Sequence, residues 1–104
     1  MTEAAAGPSG PGTVILELGA DVGALVLFTP ADLDGREIEI SVEHGVGRRT
    51  HSQVRPRHMP TETKYAAVYP DLPAGPYTIW ADEQRQAGRV VITGGQVTNW
   101  SWPA

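Results

Sequence analysis

The sequence predicts an all-β domain, an antiparallel sandwich of seven or eight short strands. Three observations predict it. The chain carries Gly 12 and Pro 9 in 104 residues, which signals many turns between short elements. No segment longer than a turn repeats its apolar residues at the helical period of 3.6. The stretch Tyr69-Pro-Asp-Leu-Pro-Ala-Gly-Pro-Tyr-Thr-Ile79 reads as a strand end, a tight corner and a strand start. Its prolines fix φ and remove backbone donors, which excludes a helix. Gly75 supplies the corner conformation, and Tyr69, Leu72, Tyr77 and Ile79 are left to point at one core.

Each element follows from its own pattern. Residues 1–12 are small and rich in Pro and Gly and read as a disordered tail, with the domain covering 13–104. Thr13–Leu18 is β-rich, and Ala24–Thr29 is nearly continuous in apolar residues, as in a strand covered on both faces. Pro30–Gly35 is a connection with room for one helical turn, under which Leu33 tucks. Arg36–Glu43 is the cleanest alternation: Ile38, Ile40 and Val42 face in, while Glu37, Glu39, Ser41 and Glu43 face out.

His44–Gly47 turns, and Arg48–Arg55 returns as a polar strand. A hairpin centred on residue 46 sets Glu43 opposite Arg49 and Glu37 opposite Arg55. Thr50, Ser52 and Val54 then face the core, and His51 faces out. Pro56–Thr63, with two prolines, reads as a loop. Lys64–Tyr69 and Tyr77–Ala81 are the strands on either side of the corner, and Asp82–Gln86 is a polar turn. Ala87–Thr93 and Gln96–Trp102 form a closing hairpin about Gly94-Gly95. An up-and-down barrel is the alternative topology.

The balance of 8 basic and 12 acidic residues gives a net charge of −4. That argues against general nucleic-acid binding and against an anionic membrane surface. No cysteine is present, so disulfides and cysteine-held zinc or iron–sulfur sites are excluded. The longest apolar stretch, 23–28, is too short to span a bilayer, and the N-terminal region lacks the apolar run of a signal peptide. A cytoplasmic, non-transmembrane protein is expected.

The corner Tyr69–Ile79 resembles the aromatic-x-x-Leu-Pro-x-Gly-x-Tyr-x-aliphatic segment of prealbumin-like, Ig-like β-sandwich modules. These include the carboxypeptidase regulatory-like (transthyretin-like) and collagen-adhesin B-type domains. Val90-Val-Ile-Thr-Gly-Gly-Gln-Val-Thr98 resembles the ending of such domains. The whole chain is similar to small actinobacterial proteins of unknown function, some of them labelled phospholipase. The resemblance implies a binding, spacing or stabilising module. B-type modules often hold a Lys–Asn isopeptide bond; Lys64 is the only lysine here, so Lys64–Asn99 is the pair the resemblance would offer.

Arg48-Arg-Thr-His-Ser-Gln-Val-Arg-Pro-Arg-His58 holds four of the eight basic residues and two of the three histidines. Every basic position in it is arginine, whose planar fork suits carboxylate or phosphate. Arg48, Arg49, His51, Arg55, Arg57 and His58 are therefore the candidate surface for a protein partner or an acidic small ligand. The competing explanation is that Arg49 and Arg55 pair with the glutamates of the neighbouring strand, which leaves Arg57 and His58 as the stronger candidates.

His44, His51 and His58 recur every seven residues and form an alternative reading, a divalent-metal site of zinc, copper or nickel type, with Tyr65 or Glu62 adding an oxygen. No metal-ligand motif supports it, and the arginines would repel a cation. No cofactor is expected otherwise.

A third reading, a lipid-acting hydrolase, lacks a nucleophile elbow at Ser9, Ser41, Ser52 or Ser101. Ser52 and His51 are adjacent on a strand and point apart. Asp32 and Asp34 sit on a turn, where carboxylates cap. Finally, a closing hairpin puts Val90, Ile92 and Val97 on one face and Arg89, Val91, Thr98 and Trp100 on the other. Arg89, Trp100 and Trp102, joined by Trp80, then form an aromatic interface patch; the alternative is that a bulge reverses the parity, or the tail folds over the sandwich end and buries both rings. A homodimer through a sheet edge is a further expectation.

Overall fold

The structure is a computed structural model that describes residues 20–43 and 49–103. The expected tail, the expected strand Thr13–Leu18, the turn at 44–47 and Arg48 lie outside the described residues. Eight strands are present among the described residues: β1 (Val22–Thr29), β2 (Glu37–Val42), β3 (Thr50–Gln53), β4 (Arg55–His58), β5 (Thr63–Pro73), β6 (Gly75–Trp80), β7 (Gln86–Ile92) and β8 (Val97–Ser101). The expected helical turn is a 3-10 turn at Ala31–Leu33. No helix is long and apolar enough to cross a membrane among the described residues.

The strands form two four-stranded sheets, β4-β5-β1-β8 (sheet A) and β3-β2-β6-β7 (sheet B). The all-β sandwich is thus the architecture. All pairings are antiparallel except β1 with β8, which run parallel. Leu25 and Leu27 of β1 and Ala67, Tyr69 and Leu72 of β5 meet Ile38, Ile40, Tyr77, Ile79, Val90 and Ile92 of sheet B. Burying one such side chain contributes about 1.5–3 kcal/mol.

The corner behaves as its sequence requires. Tyr69, Leu72, Tyr77 and Ile79 are all buried. The flanking strands run longer than expected, so that Ala74 alone separates β5 from β6. Gly75 has φ +139°, a region that L side chains avoid. Here the chain passes from sheet A to sheet B. The Tyr69 hydroxyl donates across the sandwich to the Ile38 carbonyl, and the Tyr77 hydroxyl donates to the Pro73 carbonyl at 2.7 Å.

Three expectations are corrected. First, the β2–β3 register is Glu37↔Gln53, Glu39↔His51 and Ile40↔Thr50, not Glu37 with Arg55 and Glu43 with Arg49. The slip is even, so faces are preserved; Val54 is buried and Ser52 half-buried, although Thr50 is exposed at the strand start.

Second, the first half of the expected loop is β4. The chain changes sheet at Val54, whose N–H donates to Arg36, and Arg55 leaves sheet B altogether. The Ser52 hydroxyl stitches this crossing, donating to the Val68 carbonyl at 2.8 Å and accepting the Val68 N–H at 3.2 Å. Pro56 is accommodated because β4 is an edge strand.

Third, β7 and β8 are not a hairpin. Gly94-Gly95 carries the chain between sheets, and β8 adds to β1 in parallel.

Candidate functional site

The arginine–histidine stretch is divided by the crossing at Val54. Arg49 and His51 lie on the outer face of sheet B. On that face Arg49 Nη1 meets Glu39 Oε1 at 3.0 Å, and Arg49 Nη2 donates to the Glu83 carbonyl at 2.9 Å. Its guanidinium lies 3.8 Å from the centroid of the Trp80 ring, a stacked cation–π contact.

His51 Nε2 is 3.8 Å from Glu37 Oε1, with both side chains exposed. A shallow cleft of about 210 Å³ beside this cluster is lined by Glu37, Glu39, Trp80, Asp82 and Glu83 with Arg36. Arg36 donates to the Ala81 carbonyl. Asp82 Oδ1 accepts the N–H groups of Gln84 and Arg85 at 2.8 Å each, and those bonds hold its carboxyl below the usual carboxylate range.

Arg89 belongs to the same face. It does not stack on Trp100; its Nε meets Glu43 Oε2 at 2.6 Å, which raises its pKa further. Sheet B therefore matches its arginines with its own carboxylates.

Arg55 and Arg57 lie elsewhere. In β4 they stand opposite Ala66 and Lys64 of β5. Tyr65, Ala67 and Tyr69 of β5 turn inward, so Lys64, Ala66 and Val68 turn outward and carry Arg55 and Arg57 with them. The outer face of sheet A thus gathers Arg55, Arg57 and Lys64 around Ala66, with Phe28 beside them (Phe28↔Ala66).

Among the described residues, neither arginine has a carboxylate at ion-pair distance, and Lys64 has only Glu62 at the limit of one. Arg55 Nη1 contacts the Gln53 side-chain oxygen at 3.3 Å, and Arg57 Nη2 the Ala66 carbonyl at 3.4 Å. Lys64 Nζ lies 5.3 Å from the Phe28 centroid and 4.0 Å from Glu62 Oε2, at the limit of an ion pair between exposed groups. Arg57 Nε is buried with no acceptor. Beside the cluster, Phe28, Thr63, Lys64, Tyr65 and Ser101 line a depression of about 390 Å³.

His58, at the end of β4, shares a 3.1 Å hydrogen bond with Thr63 Oγ1. Among the described residues no three His, Asp or Glu side chains gather as a metal site, and His51 and His58 sit on different sheets. His44 lies outside the described residues. The histidine spacing of seven does not bring these two together, because the crossing at Val54 intervenes.

Trp100 and Trp102 are also placed differently from the hairpin expectation. Trp100 is opposite Leu27 and turns inward. Both rings pack partly buried against the core, 6.2 Å apart and edge to face. Trp100 lies against Gly88, where a Cβ would stand 2.5 Å from the indole. Trp80 is on the far sheet, its Nε1 donating to Ser41 Oγ at 2.9 Å. The three tryptophans therefore do not form one patch. Between Lys64 and Asn99 stands β1.

Two residues of the sheet A cluster, Lys64 and Phe28, were not among the sequence-derived site residues. The signal was available for Lys64. Counting back from Tyr69 in steps of two leaves it outside, but its neighbours become visible only once 55–58 is known to be a strand.

No protein-family model and no curated protein matches the chain. Among solved structures, the chain is similar to a leucine-rich repeat protein from Bacteroides thetaiotaomicron VPI-5482, with TM-score 0.51 and 13% identity over 79% of this chain. It spans 12% of the length of that protein. At that identity the likeness concerns the fold alone.

Proposed function

We propose that this domain is a non-enzymatic binding module of the prealbumin-like kind, and that it engages an acidic protein partner through the outer face of sheet A. One observation carries the reading. Arg55, Arg57 and Lys64 are gathered on one face with no close carboxylate among the described residues beyond the marginal Glu62 contact, whereas Arg49 and Arg89 on the opposite sheet are already matched. Unmatched guanidinium groups favour acidic partners and steer their approach. The adjoining depression under Phe28 offers apolar area to a partner side chain.

The prealbumin-like assignment is supported by the corner, whose four predicted residues are in the core. The proposed surface leaves out Arg48, which lies outside the described residues, and Trp100 and Trp102, whose rings turn toward the core.

Titration with an acidic decapeptide, followed by backbone and arginine side-chain NMR, is the test. Shifts centred on Arg55, Arg57, Lys64 and Phe28 are expected, and they disappear in Arg57→Gln. Shifts centred on sheet B, or none, sink the reading.

A further inference from the structure

Resting on that reading, the geometry points to a phosphate monoester displayed on the partner protein as the group recognised above Ala66, held by Arg55, Arg57 and Lys64. The first argument is electrostatic. Arg57 and Lys64 are direct cross-strand partners, and like charges directly opposite on one face destabilise a sheet. A dianion between them turns that repulsion into attraction, and a single carboxylate does so by half as much charge.

The second argument is a donor count. The Nε of Arg57 is buried and out of a ligand's reach, but its Nη2 holds the Ala66 carbonyl only at 3.4 Å, so the outer guanidinium nitrogens are the donors it offers. Arg55 spends one nitrogen on the Gln53 side chain and is otherwise exposed. The Lys64 ammonium engages the Phe28 ring and Glu62 at their distance limits. These donors come from two strands and three side chains. One planar carboxylate is filled by a single guanidinium fork, while a phosphate group offers three acceptor oxygens in a tetrahedral arrangement.

The third argument concerns what carries the phosphate. Ala66 is 0% exposed although it faces outward, so its longer neighbours close over it and the charged ends of Arg55 and Lys64 stand above it at the surface. The site is a sheet face rather than an enclosed cavity, so it fits a group presented on a surface. The chain's net charge of −4 works at long range against a nucleic acid or an anionic bilayer. Strand addition at the β4 edge is also disfavoured, because Pro56 has no N–H to offer. Recognition therefore proceeds through the side chains of the face.

The experiment compares two peptides of the same acidic sequence, one with serine and one with phosphoserine at its centre, by calorimetry and by the Nε–H resonances of Arg55 and Arg57. The phosphoserine peptide is expected to bind roughly tenfold tighter or more. Inorganic phosphate should shift the Arg57 Nε–H at higher concentration, and Arg57→Gln and Lys64→Gln should each abolish the difference between peptides. Should Arg57→Gln fail to fold, exposed Arg55→Gln takes its place. Equal binding of the two peptides overturns the phosphate inference and leaves the acidic-partner reading standing. Absence of binding by both overturns the two together. Tighter binding to phosphatidylserine vesicles than to the phosphoserine peptide also overturns it.

Discussion

Tyr69 ties the two sheets together at a single atom. Its ring is buried, and its hydroxyl donates to the Ile38 carbonyl on the opposite sheet. Tyr69→Phe keeps the ring and leaves that carbonyl without its donor, so a loss of about 1 kcal/mol is expected in urea unfolding. Burial pushes the phenol pKa up, and Tyr77 is shifted in the same direction for the same reason. Both phenols stay protonated in the fold above the pH at which they ionise in the unfolded chain. The stability they contribute is therefore whole below about pH 10 and falls as pH rises beyond it. Melting temperatures across that range should decline less steeply in Tyr69→Phe. At this scale much was legible: the aromatic and aliphatic positions of the corner could be assigned from Pro and Gly spacing alone. The partner of Arg49 was not. It depends on a two-residue register, and the polar turn between the strands fixes no register by composition.

The two misplaced strands, β4 and β8, each follow a connection that crosses between sheets. Gly94-Gly95 has the composition of a hairpin turn, and local sequence cannot distinguish a turn within a sheet from one that passes over the end of the sandwich. Pro56 and Pro60 made 56–63 read as a loop, although an edge strand tolerates proline. The consequence for β8 is that Trp100 faces Gly88 rather than solvent. The absence of a side chain at Gly88 is what admits the indole. In Gly88→Ala the ring must move, at a cost of about 1–3 kcal/mol, with a change in tryptophan fluorescence that Gly95→Asn, at an open positive-φ turn, should not share. An unchanged spectrum and melting curve for Gly88→Ala would remove this account of how β7 and β8 pack.

Among the described residues, the cations with a carboxylate partner and those without one are sorted by sheet. Sheet B carries Glu37, Glu39 and Glu43 together with the arginines that answer them; sheet A carries Arg55, Arg57 and Lys64. Composition gave a net charge but could not give this division, because Arg49 and Arg55 are neighbours in sequence and Val54 sends them to opposite faces. The sorting can be checked against net charge. Arg57→Glu and Arg85→Glu change the total equally, so a long-range effect would weaken acidic-peptide capture alike in both. A local site predicts loss in Arg57→Glu and near-normal affinity in Arg85→Glu, measured at one ionic strength.

The parallel pairing of β1 with β8 joins residues 22–29 to residues 97–101, so sheet A cannot close until nearly the whole described chain has been synthesised. A fold with so much non-local pairing belongs with those that take milliseconds to seconds to form. Until then β1, the most apolar of the described strands, lacks its β8 partner. A nascent chain of this protein therefore passes through an interval in which aggregation competes with folding.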